Sequence, residues 1–294
     1  FKRLPAEQMN DLRRIAEAPM PEPDPNDNLT KQRETQEACA KILKYLEDPH
    51  DSAVLHVHDG SLKTDWINIA QSAGELLSTR RFGLVSATVP RTMAATLGVT
   101  EAPFIDVGHP FDYSRAFIGF SAYGGDYKSA QHDSNFEQRY REVLDLIQRS
   151  KGGALLLFSS FRDLERVAER VRADVKGMTI LEQGRDMEAG ERDALADKFV
   201  ADGNAILLGR ATFATGFDCP GWGLRCVIVW KLPYPAADPV QRAIMNSNQM
   251  RYNDAMKVSA VQAIGRLIRT ESDSGVVWVA DARGRRLLDP NDPL

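Results

Sequence analysis

The apolar positions change period partway along the chain. Up to about residue 52 they recur at helical spacing. Residues 5–17 predict a short helix, and Ala38, Ile42, Leu43 and Leu46 form an apolar stripe on a second helix that Thr30 is placed to cap. Between the two lie Pro19, Pro21, Pro23 and Pro25, which predict a stiff crossing. From residue 53 short apolar runs take over: 53–58, 84–85, 154–158, 179–181, 205–208, 226–230 and 276–280. Several are unbroken, as strands covered on both faces require. Amphipathic helices are predicted between them at about 137–149, 162–173, 191–202 and 255–269. Strands alternating with helices predict an α/β domain over 53–294, a mostly parallel sheet in three layers, preceded by a helical segment over 1–52.

In such sheets ligands gather beyond the carboxyl ends of strands. The residues in those places are Ser86-Ala87-Thr88, Ser159-Ser160, the run Gly209-Arg210-Ala211-Thr212-Phe213-Ala214-Thr215-Gly216-Phe217-Asp218, and Lys231-Leu232-Pro233-Tyr234-Pro235. Small hydroxyl residues and glycines permit close approach of a phosphate backbone, although Ser86 and Thr88 also suit helix caps. Tyr234, held between two prolines, is suited to stacking on a nucleobase or to ordinary loop packing. On the 255–269 helix, Val258, Val261, Ile264, Gly265 and Ile268 predict the core face. Gln262, Arg266 and Arg269 fall on an adjacent face. Two guanidiniums there suit a spread phosphate charge. A solvated face pairing with Glu271 or Asp273 is the competing reading.

Composition narrows the classes. Lys and Arg total 37 against 41 for Asp and Glu, which excludes a uniformly basic nucleic-acid coat but not a local groove. Three scattered cysteines without a C-x-x-C pair exclude a four-cysteine iron–sulfur cluster and fit a reducing, cytoplasmic setting. There is no run of eighteen apolar residues and no leader pattern in Phe1-Lys2-Arg3-Leu4-Pro5, and a first residue other than Met is expected of a fragment. His56 and His58 on one strand face predict a polar edge rather than a metal site. Gly-Lys-Ser and Gly-Lys-Thr are both missing, so a phosphate loop of the usual kind is not predicted in this chain.

The ordered series of motifs resembles the second motor domain of the DinG/XPD family of superfamily 2 helicases. Leu84-Val85-Ser86-Ala87-Thr88-Val89 is similar to its SATL segment, and His109-Pro110-Phe111-Asp112-Tyr113 to its SPFDY segment. Leu156 to Phe161 resembles its LFTSY motif, with Gln183 and Phe199 at family positions. Gly216, Asp218, Pro220 and Gly221 match its EGVDVPG motif, and Lys231 to Pro235 its KLPFP segment. Gln262 to Arg269 fits Q-x-x-G-R-x-x-R, followed by Asp281-x-Arg283. Thr215 departs from the family glutamate, which puts the wiring between hydrolysis and movement in question.

The resemblance implies a RecA-like domain that closes on ATP against a first motor domain of the same protein. That first domain holds most of the Mg2+ ligands and, in many relatives, an iron–sulfur cluster outside this chain. It implies that Arg266 and Arg269 reach the triphosphate, that Gln262 couples this contact to strand binding, and that Gly216, Asp218 and Gly265 lie at the nucleotide. Ser86, Thr88, Ser159, Ser160, Thr212 and Tyr234 are implied as nucleic-acid contacts. The implied activity is 5′-to-3′ movement on single-stranded or forked DNA, with this chain inactive alone and no membrane involved. DinG-like proteins associated with CRISPR systems are a similar branch. The implied identity of residues 1–52 is the returning end of an arch-like insertion, or the crossing between motor domains. A nucleic-acid-binding module without ATP turnover and an RNA-directed superfamily 2 helicase are the alternatives.

Overall fold

A computed structural model describes residues 10, 13–14, 16–18, 34–40, 42–43, 53–58, 61–79, 81–90, 92–99, 103–108, 111–124, 133–210, 213, 217–236 and 238–288. The expected proline crossing at 19–25 and the Thr30 cap lie outside these residues. The described positions in 10–17 and 34–43 are helical, as the apolar spacing predicts.

Two compact units divide the chain. The first comprises Phe1–Val85, Arg91–Pro103 and Pro235–Tyr252. In it, strands β1 (Ala53–His58) and β2 (Ser61–Trp66) form an antiparallel hairpin. Helices α1 (Ala70–Ser78), α2 (Met93–Thr96) and α6 (Pro239–Ser247) belong to it as well. The strand at 53–58 is thus real, but it pairs in a sheet of its own. Residues 84–85, expected as a strand, are irregular chain with exposed Leu84 and Val85 and no ladder partner among the described residues.

The second unit comprises Ser86–Pro90, Phe104–Tyr234 and Asn253–Leu294. It holds a six-stranded sheet of β3 (Ala116–Phe120), β4 (Ala154–Phe158), β5 (Ile180–Glu182), β6 (Ile206–Arg210), β7 (Cys226–Val229) and β8 (Gly275–Val279). The order is β3-β8-β7-β4-β6-β5, and every pairing is parallel. Strand side chains alternate between two cores. Leu155, Leu157, Leu207, Val227, Val229, Val277 and Val279 meet Phe199 of α5 (Ala189–Asp202) and Met256, Ala260 and Ala263 of α7 (Gln249–Ile264). Leu156, Phe158, Ile206, Leu208, Cys226 and Ile228 meet α3 (Phe136–Ser150) and α4 (Phe161–Asp174). This is a three-layer α/β domain, with its central strands apolar on both faces for that reason.

The amino edge of the sheet is a stability device. Helix α3 ends on Lys151 in the left-handed region (φ 52°) and turns through Gly152 and Gly153, where a Cβ on Gly152 would lie 1.8 Å from the Asn204 carbonyl oxygen. Buried Arg225, just before β7, donates to the carbonyls of Ser150 (3.0 Å), Lys151 (3.1 Å), Gly203 (3.1 Å) and Trp222, and to Asn204 Oδ1 (3.1 Å). One cation thereby serves the carboxyl ends of both α3 and α5, where helix dipoles favour positive charge. Burial lowers its affinity for the proton, yet a guanidinium retains it.

The helix at 255–269 is corrected by the structure. It runs Gln249–Ile264, and its buried stripe includes Met256, Ala260 and Ala263; Val258 and Val261 are only half-buried, whereas Ile264 packs partly against the core and Ile268, beyond the helix end, is buried as expected. Gly265 follows its last residue, so Arg266 lies in a turn and Arg269 in the loop beyond. Helical phase therefore does not explain their proximity. A short helix, α8 (Gly284–Leu287), follows β8.

Candidate functional site

The carboxyl edge of the sheet presents a switch point. From β4 the chain proceeds to β5 on one side of the sheet, whereas from β7 it proceeds to β8 on the other. The ends of these adjacent strands, β4 and β7, leave a shallow hollow lined by Leu157, Phe158, Val229, Lys231, Pro233, Ser259 and Ala263. Open α/β sheets bind ligands at such a reversal.

Polar side chains surround it. Ser160 is the N-cap of α4: its Oγ accepts from the Asp163 N–H (3.2 Å) and donates to Asp163 Oδ2 (2.9 Å). Asp163 in turn accepts from Lys231 Nζ (3.0 and 3.1 Å), so the cap is tied to the loop after β7. The Ser159 carbonyl accepts from Arg210 Nη2 (3.1 Å), and the Arg210 N–H donates to Gln183 Oε1 (2.7 Å), which joins the ends of β4, β5 and β6. The Arg210 and Arg185 guanidiniums lie 5.1 and 5.5 Å from the Phe161 ring centroid. Tyr234 is half-buried against the core, with the Arg283 guanidinium 5.3 Å from its ring centroid. Buried Asp281 holds that guanidinium through two hydrogen bonds (3.0 and 3.2 Å) and accepts the Leu232 N–H (3.2 Å).

A second group forms past the end of α7. Arg266 donates through Nη1 to the Phe217 carbonyl, and Arg269 Nε lies 3.5 Å from Asp218 Oδ1 without the alignment of a hydrogen bond. Burial, and then the nearby charge of Arg269, lower the proton affinity of Arg266, while Asp218 opposes them. Two cations thus face a single carboxylate that is 66% exposed. Asp273 does not pair with the guanidiniums as the competing reading requires. Its carboxylate accepts the backbone N–H groups of Arg269 and Thr270 (2.7 Å each) and Gly221 (2.9 Å). Burial would raise its pKa, but these hydrogen bonds outweigh that and hold it below the usual value. Glu271 offers its carbonyl to Arg115.

Gln262 and Thr88 come together, with Nε2 3.4 Å from Oγ1. Ser86 and Thr88 do not cap a helix. Ser86 Oγ accepts the Thr88 N–H (3.2 Å) and donates to the Thr88 carbonyl (3.0 Å), which closes a local turn. Gly265 still donates to Val261 O (2.8 Å), and a Cβ there would stand 3.2 Å from that oxygen. Gly216, Thr212 and Thr215 lie outside the described residues, as do the side chains of His56 and His58. Residue reading missed the parts played by Arg139, Asp163, Arg210 and Arg283. The Ser-x-x-Asp spacing of 160–163 was a visible cap signal for one of them. Burial pushes the Cys226 thiol up to about 12, so it is no nucleophile. Among the described residues no three His, Cys, Asp or Glu side chains gather to hold a metal ion, and no helix is long and apolar enough to cross a membrane.

A parallel six-stranded sheet with this order, covered by helices on both faces, is a RecA-like α/β fold. Residues 143–287 match the helicase C-terminal domain family. The chain is 29% identical over 269 residues to a probable ATP-dependent helicase of Methanocaldococcus jannaschii, covering 83% of this chain and 40% of that protein. It is 31% identical over 259 residues to the ATP-dependent helicase DinG of Mycobacterium tuberculosis, covering 81% and 37%. Two solved XPD structures superpose with TM-scores of 0.59 and 0.60 at 17% and 15% identity, covering 99% and 98% of this chain and 62% and 60% of theirs. The chain belongs to the DinG-type helicase family, carrying a helicase C-terminal domain with the RecA-like fold seen in XPD. It spans 40% or less of the length of the curated relatives it matches.

Proposed function

We propose that the whole protein is an ATP-dependent helicase or translocase moving 5′-to-3′ on single-stranded DNA, and that this chain supplies the arginine-bearing half of its ATPase site. The observation that carries the reading is the Arg266–Arg269 pair. Two guanidiniums are gathered beside one exposed carboxylate, and a buried Nε–H of Arg269 lacks a hydrogen-bond acceptor. Like charges are brought together at a cost that a polyanion relieves, and a triphosphate fits this donor set. When bound, ATP supplies the scissile phosphoanhydride, whose leaving oxygens gather negative charge as the bond breaks. Arg269 is assigned to meet that charge, and Arg266, anchored on the Phe217 carbonyl, to orient beside it. Asp218 holds Arg269 near the site in the absence of nucleotide. The Mg2+ that accompanies ATP is assigned mainly to the first motor domain.

Strand contact is assigned to the carboxyl edge, through Ser159, Ser160 and the loop bearing Lys231 and Tyr234, and to the turn of Ser86 and Thr88; Thr212, outside the described residues, is assigned to the strand by its motif alone. Gln262, within reach of Thr88, links the α7 end to the Ser86–Thr88 turn, a route by which hydrolysis is coupled to the strand. The six-stranded unit is the core of the second motor domain. Residues 1–52 are assigned to the end of an arch-like insertion or to the crossing between motor domains. The deciding experiment is DNA-stimulated ATPase and fork unwinding by the full-length protein. Strand binding with no ATP turnover at all would replace this reading with that of a binding module, and stimulation by RNA alone would redirect it to an RNA substrate.

A further inference from the structure

Parallel ladders run out of donors at the carboxyl ends of their strands. The last ladder bonds here are Trp230 N–H to Leu157 O and Ala280 N–H to Val229 O, both 2.9 Å. The next carbonyls, those of Trp230 and Ala280, belong to fully buried residues and are out of reach of water. A buried carbonyl left unpaired is costly. Arg139 of α3 serves both. Its Nε–H donates to Ala280 O at 2.6 Å and its Nη2–H donates to Trp230 O. The remaining arm donates from Nη1 to Asp133 Oδ2 at 2.6 Å, and the guanidinium lies 4.2 Å from the Trp230 ring centroid. Arg139 is 0% exposed, and the Asp133 side chain 7%.

A buried ion pair of this kind contributes little net stability compared with apolar packing, so its geometry is the feature to explain. Three donors in one rigid plane fix the exits of two adjacent strands relative to α3. Immediately beyond those exits run Lys231-Leu232-Pro233-Tyr234 and Asp281-Ala282-Arg283, which are tied to each other through Leu232 N–H, Asp281, Arg283 and the face of Tyr234. We infer that Arg139 is a positioning residue for strand binding. From beneath the sheet edge it sets the register of the Lys231–Tyr234 loop against the Asp281–Arg283 turn. The inference rests on the assignment of that loop to nucleic-acid contact.

The test uses the full-length protein, with Arg139→Lys, Tyr234→Ala and the double variant, in ATPase titrations with an oligothymidine. Lysine keeps the charge but cannot hold two carbonyls and a carboxylate in one plane. The oligothymidine concentration for half-maximal ATPase is expected to rise about tenfold in Arg139→Lys, comparable to the loss of one stacked base. The rate at saturating strand and the KM for ATP should be unchanged, and the double variant should be no worse than Tyr234→Ala alone. A purely structural role lowers the maximal rate through loss of folded protein and leaves half-saturation in place. That result, or full additivity of the two substitutions, overturns the inference. If Tyr234→Ala leaves half-saturation unchanged while the strand still stimulates turnover, the loop assignment fails first and takes the inference with it. Should Arg139→Lys not fold, Asp133→Asn keeps the two carbonyl bonds and removes only the anchoring charge. An increase in half-saturation is then expected, and its absence overturns the inference.

Discussion

Replacing Arg269 by alanine separates chemistry from folding, because the structure gives this side chain little to do for the folded state. Among the described residues its ion pair is at 3.5 Å with a partner that is 66% exposed, and its own side chain is 31% exposed. Loss of such a pair costs about 0–1 kcal/mol of stability. Its backbone N–H bond to Asp273 survives the substitution. An arginine that meets developing phosphoryl charge is worth about 10³ or more in rate, or about 4 kcal/mol of barrier. Turnover and melting temperature should therefore part company: DNA-stimulated ATPase of the full-length Arg269→Ala protein falls about a thousandfold, with melting and nucleotide-free strand affinity near wild type. Arg266→Ala is expected to lose comparable activity but also about 1–3 kcal/mol of stability, since it uncovers the Phe217 carbonyl that Arg266 now serves. Lysine at either position should restore little, because the planar fork is lost. Steady-state ATPase beside a melting curve for each variant decides the matter. Near-wild-type turnover in both alanine variants would refute the placement at the nucleotide, as would activity losses no larger than the losses in folded protein.

Three further outcomes are expected. The isolated chain should show no ATP turnover above background in a phosphate-release assay, as it has no Gly-Lys-Ser or Gly-Lys-Thr phosphate loop; turnover near that of the whole protein would contradict this. Arg225→Met should destabilise the domain by about 3 kcal/mol or more in urea unfolding, because acceptors at two helix ends lose their shared donor; a change below about 1 kcal/mol would show those ends rehydrate freely. The Asp273 carboxyl is held below its usual value of 3.8, so its contribution to stability is complete above that pH and is lost as pH falls through the lower folded value. Asp273→Asn should consequently lower stability at neutral pH and flatten the loss of stability below about pH 4; an unaltered acid limb would show that other carboxylates govern it.

The layered fold was legible in the chain because it depends on local periodicity. Unbroken apolar runs as short as 154–158 and 205–208, set between turn residues, predict strands buried on both faces, and the helices between them carry one-sided stripes. Motif order likewise marked Arg266, Arg269 and Gln262 as the residues of interest. Where the chain is unhelical or the partner is distant, periodicity carried no information. The helix read through residue 269 stops at Ile264, since Gly265 and the loop that Asp273 ties down override the apolar spacing. The strand read at 84–85 does not form, because a strand needs a ladder partner, which its own sequence cannot supply. The pairing of Arg269 with Asp218, 51 positions away, the tie from Lys231 to Asp163, and the burial of Arg139 beneath two strand ends are consequences of strand order. A guanidinium reads as a surface charge in sequence. Only the closing of β7 and β8 over α3 turned Arg139 into the donor for carbonyls that the ladder had left behind.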